Sequence, residues 1–276
     1  MTALLRTEMI KAVRRTRTYV IWLGLIALPL FILIAIHARN GRPRGDEGTG
    51  LFRLAKQSGL LVPAAVLAVM SAFLLVVVAG TFAGDSVAGD AASGNLRYLL
   101  MRPVARGRLL IAKATVAGVL IWVCTILVAV AGLVGGIVLF GAHPVLAPRF
   151  NGQVFVFELS ERTLLFRDLI ATAYVAFGFT ALLAMGTFFS TLTDSAAGAV
   201  GATIGVYIVS EILDGITQLG TMRYGFPTHY FSSWESMFTD NRYSHDMITG
   251  IVVQVVYLVV FGAAALVWFR RKDIRS

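Results

Sequence analysis

The chain has 276 residues, of which 57% are hydrophobic and 14% charged, with a net charge of +9. A soluble domain carries roughly a quarter charged residues, and several apolar runs here reach the roughly 18–20 residues that cross a bilayer. The composition therefore excludes an ordinary soluble enzyme and points to one all-α membrane domain over 1–276. The excess of cations would suggest nucleic acid in a soluble protein. Here membrane topology and anionic lipid explain it better, and no nucleic-acid partner is expected.

Residues 1–18 begin with a short helix. Leu5, Met9, Ala12 and Val13 fall at i, i+4, i+7 and i+8 on one face, with Arg6, Lys11, Arg14 and Arg15 away from its centre. Such a basic amphipathic helix lies in the membrane interface; a solvated basic tail is the alternative. The basic-then-apolar start resembles a signal peptide. The apolar run 19–36 is longer than a signal core and no small-residue cleavage site follows, so it is expected to stay attached.

Six spans are expected: 19–36, 60–83, 109–140, 169–189, 196–213 and 247–269. The third is too long for a hydrocarbon core of ~30 Å, so it tilts, kinks or projects. "AGLVGG" at 131–136 reads equally as a bend or as close helix packing through small residues. The single cysteine, Cys124, lies inside that span, forms no intrachain disulfide and reads as a small buried hydrophobe.

The loop 37–58 is polar and basic. "GQVFVFELSERTLLF" in the loop 141–168 reads as strand-like or interfacial, with Asp168 at the interface where the fourth span begins. Asp194, in the short turn after that span, is expected to cap the fifth. Glu211 and Asp214, at i and i+3, are either a gating or cation-binding pair or water-exposed residues beyond the end of the fifth span. The aromatic segment "RYGFPTHYFSSWESMF" in the loop 214–246 suits headgroup depth.

Six spans place both termini on one side. That side would hold Arg6, Lys11, Arg14, Arg15 and Arg17, then Arg97, Arg102, Arg106, Arg108 and Lys113, then Arg270, Arg271, Lys272 and Arg275. The 14 cations there outnumber the 10 elsewhere, which puts both termini in the cytoplasm.

The loop 84–108 between spans two and three is the most structured part of that side. Asn95 is a helix N-cap candidate, "LRYLLM" forms one or two turns, and Pro103 stops the helix near Met101. Leu96, Leu99 and Leu100 make an apolar stripe that meets either a partner or the bundle itself.

This loop resembles the coupling region of ABC transporter permeases of the ABC-2 type. There an acidic residue, three intervening positions and Gly-Thr-Leu are followed by a leucine pair, Pro-Val-Ser-Arg and a lysine on the next span. The chain offers Asp90, Gly94, Asn95, Leu96, Leu99, Leu100, Pro103, Val104, Ala105, Arg106 and Lys113, departing by Asp for Glu, Asn for Thr and Ala for Ser. The layout agrees too: an interfacial elbow helix, six transmembrane helices, a cytoplasmic coupling helix between spans two and three, and a longer loop before the last span.

The resemblance implies a permease subunit of the cell membrane that exports a hydrophobic or amphipathic compound such as a drug, peptide or lipid. It implies a second permease copy, identical or homologous, and two copies of a separate ATP-binding subunit. The ATPase-coupling residues would be Asp90, Gly94, Asn95, Leu96, Arg97, Leu99, Leu100, Arg102, Pro103 and Arg106. A route between two copies, lined by spans two and five, would involve Met70, Phe73, Phe82, Tyr207 and Glu211.

The sequence contains no Gly-Lys pair and hence no P-loop. ATP and Mg are therefore expected on the partner, with no cofactor in this chain. His37, His143, His229 and His245 are not at metal-ligand spacing, and neither HExxH nor GxSxG occurs, so no catalytic residue or metal site is expected. The alternative is an ion-coupled carrier without an ATPase. Such carriers use charged residues or broken helices near mid-membrane, and Glu211 is the one arguable candidate.

Overall fold

The computed structural model describes residues 2–38, 58–94, 105–143, 145–146, 158–239 and 245–271. Helix α1 (Thr2–Val13) turns into α2 (Thr16–Ala38), and the Thr18 hydroxyl fixes the corner by donating to the Ala12 carbonyl at 2.7 Å. A 3-10 turn, Gly59–Leu61, capped by Ser58, leads into α3 (Val62–Ala72), whose first turn holds Pro63, where a missing N–H costs nothing. Next come α4 (Leu74–Gly84), the short α5 (Ala88–Ala92) and the long α6 (Arg106–Phe140).

A two-residue ribbon, β1 (Val145–Leu146) with β2 (Glu158–Leu159), precedes α7 (Glu161–Leu192). Helix α8 (Ala196–Gly215) follows, then 3-10 turns at Thr217–Gly225 and Ser233–Glu235, α9 (Ser236–Thr239) and α10 (His245–Arg271).

Five helices, α2, α6, α7, α8 and α10, are long and apolar enough to cross a membrane, and the α3–α4 pair makes a sixth if taken as one bent span. The expected all-α membrane architecture stands. Helix α7 is the central post: 72% of its most apolar stretch is buried, against 17–33% in the other four. At 1.5 Å per residue, α6 is about 52 Å and α7 about 48 Å long, so both project past a ~30 Å hydrocarbon core.

The kink lies in span two, where Phe73 (φ −141°, ψ −58°) separates α3 from α4 at an angle of 54°. Helix α3 packs chiefly on α6, whereas α4 packs chiefly on α7 and α8 and less on α6. Span three runs unbroken through 131–136, and its glycines serve close packing. A Cβ on Gly136 would sit 2.7 Å from Cβ of Val62, and one on Gly135 2.8 Å from Leu33. The Gly59 N–H donates to Gly141 O at 2.9 Å and Ser58 Oγ to His143 O at 2.6 Å, joining the start of α3 to the end of α6.

One other expectation is corrected: the cap of α8 is Ser195 rather than Asp194, and its hydroxyl accepts from the Gly198 N–H at 3.2 Å. Asp168, two turns into α7, is buried within the protein, and neither carboxylate oxygen has a hydrogen-bond partner among the described residues. The aromatics of 226–239 pack into the protein. Tyr230, Phe231, Trp234 and Phe238 are buried, with Phe231 edge-on to Phe179 at 5.0 Å and seated against Gly178. Tyr174 OH donates to Tyr230 O at 2.7 Å and Gln254 Nε2 to Pro227 O at 2.6 Å, so α7 and α10 together hold this segment over the end of α8. Met222 and Tyr224, in the preceding turn, stay exposed.

Candidate functional site

The chain after α4, as far as Gly94, forms an arm packed against the bundle, with Val87 and Ala88 buried. Helix α4 ends at Gly84, Asp85 occupies its C-cap, and α5 carries Asp90 in its first turn. Gly94, at φ +70°, takes the left-handed conformation that suits glycine. Residues 95–104 lie outside the described residues. Of the expected coupling residues, Asn95, Leu96, Arg97, Leu99, Leu100, Arg102 and Pro103 therefore fall there. Asp90 and Gly94 stand on one side of the gap and Arg106, which opens α6, on the other.

The arm is fastened to α1 and α6 by seven charged side chains. Asp90, 1% exposed, accepts from Lys11 Nζ at 2.7 Å and also from Lys113 Nζ. Lys113, two turns into α6, also reaches Glu8 of α1 at 2.9 Å. Asp85 receives both Arg15 and Arg17 from the α1–α2 corner, and Arg15 Nη2 lies 3.7 Å from Asp90.

Burial pushes the Asp90 carboxyl up, but Lys113 and Lys11 beside it outweigh burial and hold it below the ordinary carboxylate value. The two halves of the network differ energetically. The arginines on Asp85 are about one-third exposed, so each pair is worth at most ~1 kcal/mol. The Glu8–Lys113–Asp90 chain is buried, and removing one member strands a charge.

Helix α1 accordingly faces the protein. Leu5, Met9, Ala12 and Val13 pack against the core, while Arg6 and Arg14 point outward. Sequence reasoning found Asp90 and Lys113 but passed over Glu8 and Asp85. A signal was present: Glu8 is the only acid among the first 45 residues, and Asp85 and Asp90 are the only acids between Glu47 and Glu158.

The expected pathway residues separate into two groups. Met70, Phe82 and Tyr207 are buried within the protomer, whereas Phe73, at the break in span two, is 65% exposed. Glu211 is also exposed, one turn beyond Tyr207 on α8. Helix α8 continues to Gly215, so Glu211 and Asp214 both lie on it. Asp214 is ion-paired to Arg223, 3.5 Å from its Nε, and lies within hydrogen-bond distance of His229 Nδ1 at 2.5 Å. Among the described residues there is no cluster of three or more His, Cys, Asp or Glu side chains that could hold a metal.

The described residues thus form a polytopic helical bundle with a buried, charged arm between its second and third candidate spans. The chain matches the ABC-2 family transporter protein over residues 2–274 and belongs to that family. It is thus a multi-pass membrane protein and a permease component of an ABC transporter, of a family whose members are generally non-catalytic and associate with an ABC ATP-binding subunit. No curated protein matches it.

Proposed function

We propose that this chain is the permease subunit of an ATP-driven exporter in the cell membrane. It works with a second permease copy and with two copies of a separate subunit that binds and hydrolyses ATP. The observation that carries this reading is the ion-paired arm, in a chain that matches its family over residues 2–274. A loop that were merely solvated would have no reason to bury Asp90 among cations from α1 and α6.

In this reading the α1 end of the bundle faces the cytoplasm, in line with the bias of 14 cations to 10. Leu96, Leu99 and Leu100 meet the ATPase, Pro103 ends the coupling helix, and the arm passes the movement to the spans. The route for a hydrophobic or amphipathic compound lies between two copies along spans two and five. Phe73 and Glu211 would stand on its wall, with Met70, Phe82 and Tyr207 packed behind.

The break in span two, like Glu211, is a feature that suits an ion-coupled carrier. Residues 60–84 contain no ionisable side chain, however, so the break offers no carboxylate to carry a coupling proton.

Affinity purification in mild detergent followed by mass spectrometry tests the proposal. A stoichiometric partner carrying Walker motifs is expected, and Leu99→Asp should abolish its recovery without affecting membrane insertion. A clean preparation with no nucleotide-binding partner, repeated in lipid nanodiscs, would overturn the reading.

A further inference from the structure

The ion pairs hold the arm on its α1 side. Its other side is held by apolar packing, with Val87 buried among Leu110, Phe188, Ala265 and Phe269, and by a hydroxyl that supplies hydrogen bonds to its backbone. Ser190, in the last turn of α7, is fully buried. Its Oγ accepts from the Val87 N–H at 3.0 Å and the Ala88 N–H at 2.8 Å, and donates to the Gly84 carbonyl at 2.7 Å. One side chain thus satisfies the carbonyl at the end of α4 and two amides at the start of α5.

Helix ends leave such groups unsatisfied, and a neighbour in sequence usually caps them. Helix α5 has no side-chain cap from its own N-cap residue, Val87. The cap comes instead from a residue about one hundred positions away. The flanking hydroxyls behave differently: Thr187 donates back to Leu183 O and Thr191 to Phe188 O, both within α7.

Close backbone packing removes any slack at the same place. A Cβ on Gly84 would lie 2.6 Å from the Val200 amide nitrogen of α8. A Cβ on Gly186, one turn before Ser190, would lie 2.5 Å from Ala83 Cβ. The end of α4 is therefore seated between α7 and α8. The contrast with the other side of the arm is mechanical. Lysine and arginine side chains are long, and those on Asp85 are partly solvated, so they tolerate displacement. Ser190 binds backbone through a short side chain and does not.

We infer that Ser190 is the positioning residue that joins the coupling arm to the central helix, so that arm and α7 move as one body. This rests on the reading that the arm docks an ATPase. A push on the arm then reaches the helix against which α4, α6, α8 and α10 all pack, while the partly solvated arginines on Asp85 follow as a compliant brace.

Hydrogen–deuterium exchange on the full chain, alone and with its ATPase partner, tests this. In Ser190→Ala the amides of 84–94 should exchange at least about tenfold faster, as expected for the loss of three hydrogen bonds, with 2–13 unchanged. In the wild-type complex, trapping with ATP and vanadate should alter exchange both in 84–94 and at 186–192. In Ser190→Ala it should alter the arm alone, with basal ATPase activity retained.

Ser190→Cys, nearly isosteric and a weaker hydrogen-bonding group, should fall between the two and serves if the alanine variant folds poorly. Unchanged exchange at 84–94, or a response at 186–192 equal to wild type in both variants, would overturn the inference. If no ATPase co-purifies with the wild type, the coupling reading fails on its own, and exchange at 84–94 still decides whether Ser190 holds the arm.

Discussion

Lys113→Met is the sharpest test of the buried charge network. Lys113 lies between Glu8 and Asp90, and the three side chains are 7%, 7% and 1% exposed. Without the cation, Asp90 keeps Lys11 at 2.7 Å and Arg15 at 3.7 Å. Glu8 has no other ion pair among the described residues and becomes a lone buried carboxylate. Stranding one partner of a buried pair costs about 3–5 kcal/mol. That is a factor of roughly 10²–10⁴ in the folding equilibrium, or a drop of about 6–20 °C in unfolding temperature.

The chain supplies its own probe. Cys124 is the only cysteine and is fully buried, so a thiol-reactive fluorophore reports unfolding in detergent. The double substitution Glu8→Met with Lys113→Met removes both charges together, and replacing a buried pair by apolar residues is often neutral or stabilising. It should therefore recover most of the loss. A Lys113→Met protein within about 2 °C of wild type, a shift under ~1 kcal/mol, or a double variant no better than the single one would refute the reasoning.

Three further outcomes are expected. Because the Asp90 carboxyl is held below its ordinary value of 3.8 in the folded protein, its contribution is complete above that value and is lost as pH falls through the folded value. Asp90→Asn should thus flatten the fall in unfolding temperature below about pH 4, and an acid limb as steep as wild type would contradict this. Gly136→Ala should cost about 1–3 kcal/mol by overpacking against Val62. Gly118→Ala, with open space around it in the same helix, should gain about 0.5–1 kcal/mol; thermal shifts of the same sign would count against the packing argument. Tyr174→Phe removes one of the two hydrogen bonds to the Tyr230 carbonyl, which keeps the Ser233 N–H at 3.2 Å, at a cost of about 0.5–1.5 kcal/mol, and should speed amide exchange across 226–239 while leaving 2–13 unchanged.

The sequence by itself determined which segments are apolar and long enough to span a membrane, where a charged loop interrupts them, and which face of α1 is greasy. All of these are one-dimensional properties: hydropathy over about 20 residues, a 3.6-residue period, and the position of a proline. The strength of the loop's resemblance came from the same source, since Asp90, Gly94 and Lys113 are readable as a spaced pattern.

Only the tertiary structure decided who faces whom. The run 60–84 looks like one uninterrupted helix, and it bends at Phe73 because its halves pack on different neighbours. The glycines at 132–136 left bend and packing equally open until α2 and α3 were set against them. Glu8 and Lys113 are 105 positions apart, and Ser190 and Gly84 are 106. Such pairs form when helices stack, through contacts that no local pattern encodes. The aromatics of 226–239 have the composition of an interfacial belt, yet α8 is short beside α7 and α10. The space left above its end is what draws Phe231 and Trp234 inward.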